Sequence, residues 1–151
     1  METILLCLFL LCIGFHAYTD IKELLLYDLV NLILLVTGCV YVYFYGNVWQ
    51  SLYGILVAGG SMLFLYFLSR GGMGEGDVKL AFILGLWLGP WESMVCLILA
   101  FVIGGAVGGC LLLGRKRKAD DRLPFGPFLC LGGASALFYG QQLMSWYLGY
   151  F

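Results

Sequence analysis

Charge is what this chain has least of. Only 11% of its 151 residues are Asp, Glu, Lys or Arg, while 62% are hydrophobic. A soluble domain carries about 25% charged and about 45–50% apolar residues. Long apolar stretches fill nearly the whole sequence, so the chain is expected to be an integral membrane protein. Its length allows one domain, residues 1–151. No basic stripe in a polar segment suggests nucleic-acid binding. No Cys-x-x-Cys occurs among Cys7, Cys12, Cys39, Cys96, Cys110 and Cys130. All six lie in or beside apolar segments, which speaks against a zinc site or a disulfide framework and for small core residues. There is one histidine, His16, so no serine or cysteine nucleophile with a histidine base stands out. The N-terminus lacks the basic region of a cleaved signal peptide and is expected to be a retained first helix. No internal repeat or low-complexity tail is present.

What is there is a set of apolar segments with alternating connections. The expected fold is all-α, a polytopic bundle of about six transmembrane helices over Ile4–Tyr18, Leu29–Tyr45, Val48–Leu68, Val78–Leu88, Ser93–Leu113 and Phe125–Trp146. A span needs roughly 20 residues, so the fourth is short unless its neighbours shelter it. All eight basic residues then fall on one side: Lys22, Arg70, Lys79, Arg115, Lys116, Arg117, Lys118 and Arg122. The opposite connections, Gly46-Asn47 and Gly89-Pro90, carry none. The positive-inside rule puts the basic side in the cytoplasm and both termini outside. Trp49, Trp87, Trp91 and Trp146 fall near the outer boundary, as an interfacial belt would. The fifth segment contains Gly104-Gly105-Ala106-Val107-Gly108-Gly109, two overlapping small-xxx-small patterns. These suit close packing within the chain, or a homo-oligomer face as the alternative.

The basic side also collects carboxylates: Asp20, Glu23, Asp28, Glu75, Asp77, Asp120 and Asp121. Two differ in position. Asp20 ends the first apolar segment and Asp77 begins the fourth, and two intervening spans return the chain to the same membrane level. An aspartyl protease needs such a pair. One carboxylate takes a proton from water while the other, protonated, hydrogen-bonds the scissile carbonyl. Close carboxylates resist double ionisation, so sharing one proton is natural near neutral pH. His16, one helical turn before Asp20, is a hydrogen-bond neighbour or a structural residue. Gly74 and Gly76 before Asp77 permit positive φ and close backbone approach, as an extended substrate strand would require. Equally, Gly-Asp before an apolar run is an ordinary helix start. Lys79 is a snorkelling cation, and the Arg115–Lys118 run a topology anchor.

Gly74-Glu75-Gly76-Asp77-Val78-Lys79 resembles the G-x-G-D-[VA]-K segment of type IV prepilin peptidases. Asp20, followed by Asp28-Leu29-Val30-Asn31, is similar to their first-aspartate region, and Leu123-Pro124-Phe125-Gly126-Pro127-Phe128 resembles their Pro-Phe-Gly-Pro segment. The three matches occur in family order and span most of the chain. The resemblance implies a G-x-G-D aspartyl endopeptidase of the prokaryotic cytoplasmic membrane, acting on prepilin or pseudopilin precursors without a cofactor or metal. It carries the catalytic roles to Asp20 and Asp77, and substrate positioning to Gly74, Gly76, Lys79 and Asp28. Tyr27 stands where the family usually has proline. Long members carry a segment with paired Cys-x-x-Cys motifs, associated with N-methylation. This chain resembles the short, peptidase-only form.

Two other readings use the same carboxylates. A transporter or channel subunit would place ionisable residues near the bilayer midplane, where the six segments hold almost none. A divalent-metal site would gather Asp20, Glu23, Asp28, Glu75 and Asp77 as oxygen ligands. The orientation is testable independently of either. In a cysteine-free background, Lys22→Cys and Arg117→Cys are expected to react with an impermeant thiol reagent only after the membrane is opened. Asn47→Cys is expected to react from outside; outside labelling of Arg117→Cys would invert the topology.

Overall fold

The computed structural model describes residues 1–69, 72–113 and 124–149, with the backbone alone at 112, 144, 147 and 148. Arg70, Arg115–Lys118, Asp120, Asp121, Arg122 and Leu123 lie outside the described residues. The described chain forms six α-helices: α1 Glu2–Glu23, α2 Asp28–Tyr45, α3 Val48–Leu68, α4 Glu75–Leu88, α5 Pro90–Leu113 and α6 Gly126–Leu148. Four stretches, α1, α2, α3 and Pro90–Leu111 of α5, are long and apolar enough to cross a membrane. Much of their surface is large apolar side chain facing outward, including Leu11, Phe15, Leu32, Leu56, Phe64 and Ile98. In water such a surface would drive aggregation, whereas hydrocarbon accommodates it.

Local chemistry sets the helix ends. The Asn47 side chain accepts from the backbone N–H groups of Trp49 (3.0 Å) and Gln50 (3.4 Å), capping α3. Gly89 ends α4 at φ 79, a left-handed angle that glycine adopts without strain. Pro90 follows as the first residue of α5, where a missing N–H costs nothing. Tyr27, in the place of the family's proline, has φ −73. That is the angle proline would impose, so the backbone at the start of α2 is one that proline also fits.

The short α4 is the centre of the bundle. It packs against α2, α3, α5 and α6, and every residue from Ile83 to Leu88 is buried. A helix apolar on all sides belongs inside. Its closest partner is α3, and the two cross at Gly54 and Gly85. The backbone of the opposite helix occupies the space that a Cβ would fill at either glycine. In α5, Gly104 packs under Phe125 and Phe128, whereas Gly105 and Gly109 face open space. The small-residue stripe is thus only partly used within the chain.

One sequence expectation is corrected. Trp49 and Trp91 are exposed, in keeping with an interfacial position, but Trp87 is a core residue at 5% exposure. Its indole N–H donates to the Leu34 carbonyl at 3.0 Å, and its ring packs between Phe9 and Tyr41, centroids 4.7 and 5.0 Å away. Helix α4 is central, so its last turn faces protein and not the membrane boundary. All six cysteines are free, with Cys12, Cys96 and Cys130 buried.

Tyr27→Pro is expected to be tolerated. Its φ already suits proline, and what is lost is an exposed bond from the Tyr27 hydroxyl to Glu23 (2.7 Å) and a ring contact with Phe15. Helix content by circular dichroism should be unchanged, and stability within about 1 kcal/mol of the parent. Loss of helix or failure to insert would show that the start of α2 depends on Tyr27 itself.

Candidate active site

Asp20 and Asp77 meet at one end of the bundle. Asp20 sits in the last turn of α1 and Asp77 in the first turn of α4. Both line one cleft of about 390 Å³, and both are buried, at 6% and 7% exposure. They are 57 residues apart in sequence, brought together because α2 and α3 carry the chain away and back. Leu24, Met73, Phe101, Pro124 and Phe125 give the cleft an apolar wall.

Each carboxylate faces a backbone N–H at a helix start. Asp77 is the third residue of α4 and folds back onto the N–H of Gly74, the helix N-cap. This is the returning half of a capping box. Asp20 accepts from the Gly126 N–H at the start of α6, 2.9 Å from its Oδ2. A Cβ at Gly126 would lie 2.7 Å from that oxygen, so only glycine lets α6 approach this closely. Sequence reasoning gave Gly126 no role in the site. The signal was there, in the Pro-Phe-Gly-Pro segment, but its partner 106 positions earlier was not readable. Beyond Asp20, α1 ends with Leu24 in the left-handed region at φ 53, its N–H bonded to the Asp20 carbonyl. A left-handed non-glycine residue costs roughly 1–2 kcal/mol, so the α1 terminus is held in place by its surroundings.

The other sequence-chosen residues divide. Gly74 lines the cleft. Gly76 does not: it lies inside α4, where a Cβ would press on Leu26 at 3.1 Å. The expectation of positive φ at this turn is corrected, because Gly74 has φ −71 and Gly76 is helical. Its smallness serves packing of the α1–α2 connection against α4. Lys79 and Asp28 pair with each other at 2.8 Å on the exposed surface, joining α4 to α2 outside the cleft. Glu23 accepts from Tyr27 and Glu75 from Tyr66, so the five carboxylates do not converge. Among the described residues, no group of three or more His, Cys, Asp or Glu is placed to hold a metal ion. His16 is fully buried and faces Asn31 of α2 instead of bonding Asp20.

Asp77 precedes the apolar stretch Val78–Leu88. Burial pushes its carboxyl up from 3.8 to about 7, the Asp20 charge adds to the rise, and the Gly74 N–H opposes it. Near neutrality Asp77 is therefore about half protonated beside a second carboxylate. Two buried carboxylates thus face one cleft in a bundle of apolar helices.

Residues 4–109 match the type IV leader peptidase family, and the chain belongs to that family. A prepilin leader peptidase/N-methyltransferase of Stutzerimonas stutzeri is 32% identical over 137 residues, covering 85% of this chain and 47% of that protein. One from Legionella pneumophila is 38% identical over 78 residues, 52% of this chain and 27% of that protein. One from Burkholderia pseudomallei strain 1026b is 45% identical over 82 residues, 52% of this chain and 26% of that protein. The chain thus spans about a quarter to a half of the length of these curated relatives. No solved structure matches it.

The raised Asp77 carboxyl sets a pH-dependent stability. Below 3.8 both folded and unfolded chains hold its proton. Between 3.8 and about 7 only the folded chain does, so stability falls as pH rises through that window and levels off above it. Asp77→Asn removes this titration. In detergent, the melting temperature of Asp77→Asn relative to the parent should rise across that window and stay flat above it. A difference independent of pH would mean that burial leaves Asp77 at its ordinary value.

Proposed function

We propose that this chain is an aspartic endopeptidase that removes the leader from type IV prepilin-like or pseudopilin precursors at the cytoplasmic face of a bacterial inner membrane. The observation that carries this reading is the pair of buried carboxylates on one cleft, in a chain of the type IV leader peptidase family. Asp20, which accepts the Gly126 N–H at the positive end of α6, acts as the ionised base and takes a proton from water. Asp77, protonated, donates to the oxygen of the scissile carbonyl as hydroxide adds to its carbon. Collapse of the tetrahedral intermediate breaks the C–N bond, and the proton on Asp20 passes to the leaving amine. The cleft's apolar wall suits an apolar segment of the precursor and keeps bulk water from the pair.

The same reading makes residues 1–151 one membrane-embedded domain with both termini outside. Support comes from Lys22 and Lys79, which lie at the Asp20–Asp77 end of α1 and α4, and from the sequence, in which Arg70, Arg115, Lys116, Arg117, Lys118 and Arg122 fall between α3 and α4 or between α5 and α6. Whether a methyl group is added to the new N-terminus is read from the mass of the product in the experiment that follows.

Asp20→Asn and Asp77→Asn, co-expressed with a prepilin, are each expected to reduce leader removal at least about 10³-fold by mass spectrometry, and the double variant no further. Glu23→Gln and Glu75→Gln should cleave, because among the described residues each carboxylate accepts a tyrosine hydroxyl outside the cleft. Normal cleavage by Asp77→Asn would end the aspartyl-protease reading.

A further inference from the structure

The end of the bundle opposite Asp20 and Asp77 holds a second, separate polar feature. Two adjoining hollows of about 350 and about 280 Å³ share Tyr41, Trp87, Leu88, Glu92 and Gln141. They open where α2 and α4 end and where α3 and α5 begin, with α6 closing one side. Carboxamides of Gln50, Gln141 and Gln142 and the carboxylate of Glu92 line them. Ser51 also lines the larger one. It is 6% exposed, and its side chain adds a hydroxyl to the lining.

Charge narrows the ligand. No lysine or arginine occurs in residues 23–69, 80–114 or 123–151, nor before Lys22, and no ion pair reaches Glu92 among the described residues. Glu92 is held in place by α6, since a Cβ at Gly140 would lie 2.7 Å from its Cγ. Glu2 of α1 lies near enough to act electrostatically on the Tyr41 hydroxyl, adding negative potential at this end. A ligand of net negative charge is therefore disfavoured. A bare divalent cation, which takes six to eight oxygens and usually several carboxylates, finds one carboxylate among the lining residues. A cation with several N–H donors fits one carboxylate surrounded by carbonyl and hydroxyl oxygens.

The aromatic wall narrows it further. Tyr41 and Trp87 are stacked at 5.0 Å with their planes 21° apart, and Phe9 lies 4.7 Å from Trp87. Ring faces spent on one another do not form the cage that a quaternary ammonium prefers. Trp49 and Trp91 are exposed at the same end of the bundle, the position of interfacial tryptophans. Leu137 and Phe138 continue the hollow with apolar surface. The hollow thus joins a polar lining to an apolar side, at the end of the bundle that carries exposed tryptophans.

We propose that this hollow binds the ethanolamine headgroup of a phospholipid. Glu92 is the counter-ion of the primary ammonium, and the Gln50, Gln141 and Ser51 oxygens accept its remaining N–H bonds. Trp49 and Trp91 hold this end of the bundle at the membrane surface. The site does not depend on the peptidase reading, because none of its residues lines the Asp20–Asp77 cleft.

The test uses the full chain in nanodiscs of phosphatidylcholine containing equal small amounts of phosphatidylethanolamine and phosphatidylglycerol. Lipid retained after release is counted by native mass spectrometry. Phosphatidylethanolamine should be retained preferentially. Glu92→Gln, which keeps the side-chain shape, should reduce that retention about tenfold, as expected for loss of a charged hydrogen bond. Ser51→Ala should reduce it in the same direction. Equal retention of phosphatidylglycerol, or phosphatidylethanolamine retention unchanged in both variants, would overturn the proposal. A further arm adds soluble ethanolamine to the parent in phosphatidylcholine alone. Binding there, without preferential lipid retention, would overturn the lipid assignment.

Discussion

The structure depends on keeping two carboxylates out of water and close together. An isolated buried carboxylate costs several kcal/mol, and a second one beside it adds repulsion. The protein offsets this with helix starts. Gly74 N–H faces Asp77 and Gly126 N–H faces Asp20. A hydrogen bond to a charged group contributes about 1.5–3 kcal/mol, and the positive end of a helix adds up to about 2 kcal/mol more where it is partly buried. These contacts require α4 and α6 to begin where they do, on either side of the last turn of α1. The Pro-Phe-Gly-Pro and G-x-G-D segments are therefore two halves of one electrostatic arrangement.

Close helix approach makes that arrangement reachable. If α4 stood farther from α3, Asp77 would shift relative to Asp20. The Gly54–Gly85 crossing removes the side chains that would separate the two helices. In a bilayer, helix association draws on this kind of contact because apolar burial alone gives little preference for protein over lipid. The core around α4 is correspondingly built from Leu80, Leu84, Met62, Leu34, Phe9 and Leu129, all at most 1% exposed. The surfaces turned outward are equally apolar but unspecific.

Much of this was legible in the sequence, and the parts that were not share a cause. Apolar runs and their breaks at Gly46-Asn47 and Gly89-Pro90 located six helices to within a few residues, except that α1 continues past Tyr18 to Glu23. Alternation of the runs was enough to bring Asp20 and Asp77 to the same end. What sequence could not show was which helix is central. Trp87 was read as a boundary residue because its distance along the chain fits a membrane surface, yet α4 is enclosed by four neighbours and its last turn is core. The same blindness hid Gly126, whose meaning lies in its contact with Asp20, and misjudged Gly76, whose small size accommodates Leu26. Periodicity and hydropathy report what a residue is next to along its own helix, and tertiary neighbours enter only with the fold.

The brevity of α4 has a consequence for solvent. Fourteen residues make a helix of about 21 Å, whereas the hydrocarbon layer is about 30 Å thick. The polar ends of the central helix therefore lie below the level of its longer neighbours, and roughly 9 Å of depth is left for something other than helix. The cleft opens at the Asp77 end of this helix. A central helix shorter than the hydrocarbon layer leaves depth that polar groups can occupy in place of lipid. Lengthening α4 by one turn at the Asp77 end would fill about 5.4 Å of that depth and part Asp77 from the helix start that faces it.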